Sequence, residues 1–402
     1  MSEKTTVFYF SSITYDFLYQ RPQQLLREWR ANFSDLYEFY YVDYPSFKRF
    51  AARRPHHLKQ SLETLLLKKH NNNVDDAFVL TWLGIPGIFQ RHAPKRILQS
   101  DLSFRLIDSA VRRALSQRCG RTQNKVAIVS SPFWEPFVSN DDFDLVCYDY
   151  VDPVELATLY DVYPAEEQHK KLLGKSDIIF VTAQNLREDA LSIADEKDVV
   201  TVSNGTDAEF FEKNKNSHMI TDYARTDKKI VGYMGTYHRV DMDLIYATAQ
   251  ELAEVDFLLI GRLDRQNQRR APKKPENVFI LGTKKYEQLP AYVQIFDVAL
   301  IPFKPSLMAD SSDPVKLYDY FSLGKPVVAT RLRELKKFDD GHLLKVAETQ
   351  DEFINAIDAF LKYDVKAWQE SRRQIARQNS WLSKATSIIR SIESRIAELP
   401  CA

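Results

Sequence analysis

The chain has 402 residues, more than one typical domain holds, and 44% of them are hydrophobic with 12% aromatic, which suits a globular protein with sizeable cores. Its 55 basic and 55 acidic residues cancel, which removes any global charge argument for nucleic-acid binding. The three cysteines, Cys119, Cys147 and Cys401, show no CxxC spacing, so neither a zinc site nor a disulfide framework is expected.

In chain order, short apolar runs alternate with amphipathic segments. The first half offers seven strand candidates, "TTVFYFSS", "EFYYVDY", "DAFVLTW", "KVAIVSS", "DLVCYDY", "SDIIFVT" and "DVVTVSN". Between them lie helical patterns such as "QRPQQLLREWRANF", where Pro22 suits a first turn. These runs are continuously apolar rather than alternating, as expected of parallel strands covered on both faces. The polar stretch "EKNKNSHMITDYARTDKK" is the best boundary. Beyond it come "KIVGYMGT", "VDFLLIGR", "NVFILGT", "DVALIPF", "KPVVAT" and "HLLKVAE". The reading is α/β, with two Rossmann-like doubly wound domains facing a central cleft. Residues 1–210 form the first, 211–378 the second, and a helix over 379–402 crosses back to the first. No apolar stretch approaches a membrane span, and no signal-peptide pattern is present, which predicts a cytoplasmic protein.

Several positions could carry chemistry. In "DPVKLYDYFSLGKPVVAT", Pro314 suits a helix start, and Lys316 and Asp319 share a face three residues apart. On these residues alone the pair reads equally as a solvated ion pair or as a clamp in which Lys316 meets a phosphate and Asp319 a ribose diol. Gly235, Thr236 and Tyr237 follow the first strand of the second domain, where one glycine permits a tight turn near a phosphate. His238 and Arg239 could line the same cleft. Arg262, just past the next strand, is a further phosphate candidate. Asp241 and Asp243 form a DxD that reads better as a helix cap than as a metal site.

In the first domain, Asp149 and Asp152 end a strand where a general base is needed, though either could cap the next helix. Trp134 and Glu135 offer an aromatic platform with a carboxylate, with loop packing as the alternative. The basic segment 46–70, interspersed with phenylalanines and leucines, reads either as a solvated helix face or as a contact for an anionic membrane. No Gly-x-Ser-x-Gly, Walker A or HExxH pattern occurs.

Taken together, "VSNGTDAEFF", "YMGT", "NVFILGT", "YEQLPAYVQIFDVALIPF" and "DPVKLYDYFSLGKPVVAT" resemble the group 1 glycosyltransferases of the GT-B fold. They are similar to bacterial enzymes that build exopolysaccharides and cell-wall polymers, among them the xanthan-type glucuronosyltransferases and the teichuronic-acid-type transferases. The family string Asn-Gly-x-Asp-x-x-x-Phe is matched by Asn204, Gly205, Asp207 and Phe211. The block Lys-x-x-Glu-Tyr-x-x-x-Gly-x-Pro-Val-Val falls on Lys316, Asp319, Tyr320, Gly324, Pro326, Val327 and Val328. The resemblance implies a hexosyltransferase taking a nucleotide-sugar donor, UDP-linked, and a saccharide or lipid-linked acceptor at the inner membrane face, with no metal or other cofactor. It implies Lys316 on the diphosphate and Asp319 on the ribose, flanked by Gly235, Thr236 and Tyr237. It places Phe303 near the base, with Ser311 and Ser312 from an "ADSS" string beside them. It raises Asp152 above Asp149 as general base; Arg21, Trp134, Glu135 and Asp149 are expected on the acceptor side. Asp319 departs from the family glutamate, and the usual Gly-Arg-Leu is replaced by Gly235-Thr236-Tyr237, so a second phosphate-binding cation is unassigned. A nucleotide-sugar epimerase of the same fold and a catalytically silent partner module are the rival readings.

Overall fold

The computed structural model describes residues 4–13, 15, 20–42, 78–80, 112, 124–154, 165–224, 227–261 and 273–399. The basic segment 46–70 and Arg262 lie outside the described residues. The chain forms two compact units: residues 1–182, 186–202 and 385–402 in the first, 183–185 and 203–384 in the second.

The first unit is built on β1 (Thr5–Phe10), β2 (Tyr37–Val42), β3 (Phe78–Leu80), β4 (Lys125–Val129), β5 (Leu145–Tyr150), β6 (Ile178–Val181) and β7 (Val199–Thr201). They pair in the order β3-β2-β1-β4-β5-β6-β7. Every pairing is parallel. Helices α1 (Arg21–Phe33) and α2 (Ala165–Lys175) belong to this unit, and α3 (Gln184–Leu191) precedes β7. β1 is buried along its whole length, as its unbroken apolar run predicts. On α1, Leu25, Leu26 and Trp29 are buried, each contributing about 1.5–3 kcal/mol of apolar transfer. The Trp29 ring stacks on Phe39, and its indole N–H donates to the Ala385 carbonyl at 3.0 Å.

The main span of the second unit runs from Ser203 and carries α4 (Ala208–Asn214). Its sheet comprises β8 (Ile230–Met234), β9 (Asp256–Ile260), β10 (Val278–Gly282), β11 (Val298–Ile301), β12 (Val327–Thr330) and β13 (Leu344–Ala347). The order is β10-β9-β8-β11-β12-β13, again parallel throughout. Helices α5 (Met242–Glu251), α6 (Leu289–Gln294), α7 (Leu307–Asp310), α8 (Val315–Ser322), α9 (Gln350–Lys362) and α10 (Lys366–Gln378) follow in chain order. The last helix, α11 (Trp381–Ala397), has residues 385–397 in the first unit.

All thirteen expected strands are present, and both sheets have the doubly wound order. The expected boundary at 210/211 differs from the observed one at 202/203. The reason is local: Asp207 caps α4 by accepting from the Phe210 N–H at 3.0 Å, and Phe211 is fully buried in the second unit's core. Asp241 likewise caps α5 through the Leu244 N–H, as the capping reading of the DxD requires. Among the described residues, no helix is long and apolar enough to cross a membrane.

Candidate functional site

In an open α/β sheet, the strand order reverses on either side of the first strand, and the loops leaving the carboxyl ends of the two diverging strands frame a crevice. In the second unit those strands are β8 and β11. Their outgoing loops are zipped together: Asp241 N–H donates to the Pro302 carbonyl at 2.8 Å and Lys304 N–H to the Arg239 carbonyl at 2.8 Å. Gly235 to Arg239 and Phe303 therefore lie at one switch point. α8 brings Lys316 to the same place.

Gly235 has a φ of +139°, and a Cβ there would stand 3.1 Å from Lys316 Cε and 2.9 Å from the Tyr233 hydroxyl. The missing side chain thus makes room for the stem of Lys316. The Gly235 N–H donates to the Ile260 carbonyl. Beyond the glycine, the Lys316 ammonium lies 4.6 Å from the centre of the Phe303 ring and 5.6 Å from that of Tyr233. Among the described residues it has no hydrogen-bond or ion-pair partner. Burial, and next the positive charge of Arg239, push the Lys316 pKa down to about 7, with Asp319 opposing them. An ammonium held on aromatic faces, with no ion pair among the described residues, has the chemistry to accept an anion.

Arg239, offered by the sequence only as a candidate to line the cleft, is a cation whose charge acts on Lys316. Its Nη1 donates to Ser312 Oγ at 2.9 Å, and Ser312 donates in turn to the Met308 carbonyl at 2.6 Å. Its proximity to Lys316 could be found only by knowing that the loops after β8 and β11 meet.

Asp319 is buried, and its Oδ1 accepts from the Thr206 hydroxyl at 2.7 Å. Burial raises its pKa to about 7, while the Thr206 hydrogen bond and Lys316 pull the other way. The solvated ion-pair reading is thereby replaced, since Lys316 rests on Phe303 and Asp319 on Thr206. Asp313 accepts from the Asn204 N–H at 2.5 Å and the Tyr318 hydroxyl at 2.9 Å. Burial raises it to about 6. Pro314 takes the N-cap position.

Other expectations are corrected. Tyr237 is fully buried against Tyr233 and is a core residue, not a lining one. Thr236 is exposed beside it, its hydroxyl on His238 Nδ1. Phe303 is 4% exposed, so its ring supports Lys316 rather than offering an open face to a base. Ser311 is turned inward, its Oγ accepting from Asn185, and Ser312 anchors Arg239.

In the first unit, Arg21 and Asp149 form a buried bidentate pair, with Nη2 2.8 Å from Oδ1. The Tyr9 hydroxyl completes Asp149 at 2.7 Å, and Arg21 Nη1 reaches the Val202 carbonyl. Both side chains are saturated inside their own unit, which corrects their placement on the acceptor side. Trp134 is fully buried, with its indole N–H on the Ser11 carbonyl, and Glu135 pairs with Lys175 at 3.0 Å. Loop packing accounts for both. Asp152 is different: it is exposed, two residues beyond the carboxyl end of β5.

Residues 228–363, which contain this switch point, match the family described as "Glycosyl transferases group 1". A Bacillus subtilis protein named as a teichuronic acid biosynthesis glycosyltransferase, TuaH, is 26% identical over 223 residues, 52% of this chain and 55% of TuaH. The chain thus spans about half the length of that curated relative. Among solved structures, sucrose-phosphate synthase from Thermosynechococcus elongatus aligns with a TM-score of 0.66 at 13% identity, covering 98% of this chain and 100% of that one. HepE of Anabaena, solved with UDP and glucose, aligns with a TM-score of 0.63 at 12% identity, covering 98% and 100%. The chain has the GT-B fold of two doubly wound units, and residues 228–363 of its second unit match the group 1 glycosyl transferase model.

Proposed function

We propose that this chain is a glycosyltransferase that moves a sugar from a nucleotide-sugar donor, UDP-linked, to a saccharide or lipid-linked saccharide acceptor in the synthesis of a cell-surface polysaccharide. The observation that carries the reading is Lys316, an ammonium seated on two aromatic rings at the β8–β11 switch point, with Arg239 anchored near it. The pair takes the diphosphate, and Asp319 accepts from the ribose. The likeness to HepE, which was solved with UDP and glucose, supports a uridine nucleotide.

In the transfer, Asp152 removes the proton from the acceptor hydroxyl, and the resulting oxygen attacks the anomeric carbon. The bond from that carbon to the diphosphate oxygen breaks, leaving its electrons on the departing nucleoside diphosphate. Lys316 and Arg239 offset the charge that develops there, so the chemistry needs no metal. A single displacement of this kind inverts the anomeric centre. The basic segment 46–70 suits peripheral contact with an anionic membrane on the cytoplasmic side, where a lipid-linked acceptor would be met.

Thermal shift with UDP, GDP, TDP and CMP sugars tests the donor reading. A ligand at about 100 times its Kd adds roughly 2.7 kcal/mol of stability. Stabilisation by the uridine series is expected, and a flat screen overturns the reading. Asp152→Asn should lower kcat about 10²- to 10⁴-fold with donor binding retained. Unchanged kcat would remove Asp152 as base, and an epimer formed from donor alone would favour the epimerase.

A further inference from the structure

We propose that Thr206 is a positioning residue of the donor site, orienting the short carboxylate of Asp319 toward the nucleotide ribose. The inference rests on the reading of Asp319 as the ribose acceptor.

Its basis is the way Thr206 is held. A Cβ on the preceding Gly205 would stand 2.8 Å from the Asn379 carbonyl oxygen, so glycine permits the close approach of this segment to residues 379–381. There Thr206 N–H donates to the Asn379 carbonyl at 3.0 Å, and the Thr206 carbonyl accepts from the Trp381 N–H at 3.1 Å. Thr206 pairs with Ser380 in an isolated parallel bridge and is fully buried. With the backbone fixed on both sides and a β-branched side chain stiff at χ1, the hydroxyl has a set direction.

That direction meets Asp319 Oδ1 at 2.7 Å and Ser322 Oγ at 3.2 Å. Thr206 has one hydroxyl proton. It goes to the carboxylate, while the Ser322 hydroxyl donates to the Tyr318 carbonyl at 2.9 Å. The Thr206 hydrogen bond favours the ionised carboxylate. It occupies Oδ1, whereas Oδ2 has no partner among the described residues. A carboxylate fixed through one oxygen presents the other to a diol. An aspartate, one methylene shorter than glutamate, has less reach of its own and depends more on such a fix.

The test is titration calorimetry of the full chain with UDP and with 2′,3′-dideoxy-UDP, in wild type, Asp319→Asn, Thr206→Val, Thr206→Ala and Thr206→Ser. The wild type should prefer UDP about 10-fold or more, as hydrogen bonds to a charged acceptor allow. Asp319→Asn should abolish the preference. If it does not, the ribose reading of Asp319 fails. Thr206→Val, or Thr206→Ala where the valine chain does not fold, should cut the preference to within about 3-fold while leaving the affinity for dideoxy-UDP unchanged. Thr206→Ser should restore it. If Asp319→Asn loses the preference and Thr206→Val and Thr206→Ala keep it, Thr206 has no positioning role. A loss of affinity for both nucleotides alike would show a structural role only and overturn the proposal.

Discussion

Replacing Lys316 by methionine separates binding from folding. The ammonium rests on Phe303 and Tyr233, and burial with the charge of Arg239 holds its pKa near 7. A depressed lysine pKa means that the folded protein disfavours the charge, so an apolar side chain of similar length should leave the second unit as stable as before, or more so. A nucleoside diphosphate reverses the balance. Charge-assisted hydrogen bonds are worth about 1.5–3 kcal/mol, so Lys316→Met should weaken UDP about 10- to 150-fold. The loss should also depend on pH. In the free protein the lysine loses its proton as pH rises through about 7, so the wild-type advantage should shrink about fivefold between pH 7 and pH 8. The ionisation of UDP itself is common to both proteins and cancels. Calorimetry at the two pH values, with thermal unfolding of the free proteins, reads all three quantities. A large drop in melting temperature with UDP affinity unchanged would refute the reasoning, because it would make Lys316 a structural residue.

Arg21→Met leaves the Asp149 carboxylate buried with one partner removed and should cost about 3–5 kcal/mol in chemical unfolding, with UDP affinity untouched. A cost under about 1 kcal/mol would mean that the pair is not desolvated as described. The preference for UDP over dideoxy-UDP should rise with pH through about 7, since burial raises Asp319 to that value and only the carboxylate form accepts from both ribose hydroxyls. The comparison is a ratio, so Lys316, which faces the same site, drops out of it. A preference flat from pH 6 to 8 would remove Asp319 from the ribose contact.

The strands were legible in the sequence because parallel strands covered on both faces read as unbroken apolar runs, as in "KVAIVSS" and "DVALIPF". Lys316 and Gly235 were legible for a different reason. A glycine after the first strand and a lysine in a first helical turn are local signals, and doubly wound topology brings both to one switch point. Arg239 was legible only as a candidate to line the cleft, because its anchoring depends on Ser312 and Met308, some seventy residues on, and on two loops meeting at Asp241 and Pro302. Arg21 and Asp149 were misread because a charged side chain at a strand end looks the same in sequence whether it faces solvent or closes an ion pair inside the unit. Asp319 fell between these cases. Its place on α8 followed from helical spacing, whereas its partner Thr206 comes from a distant segment anchored by residues 379–381.

The proposed place of the donor diphosphate is the β8–β11 switch point of the second unit. A crystal structure of the chain with UDP tests it most directly. The diphosphate is expected within hydrogen-bond distance of Lys316 Nζ, with the Arg239 guanidinium beside it. UDP found instead in another pocket of the second unit, such as the cavity of about 390 Å³ lined by Lys229, Asp297, Lys325 and Arg373, would contradict it.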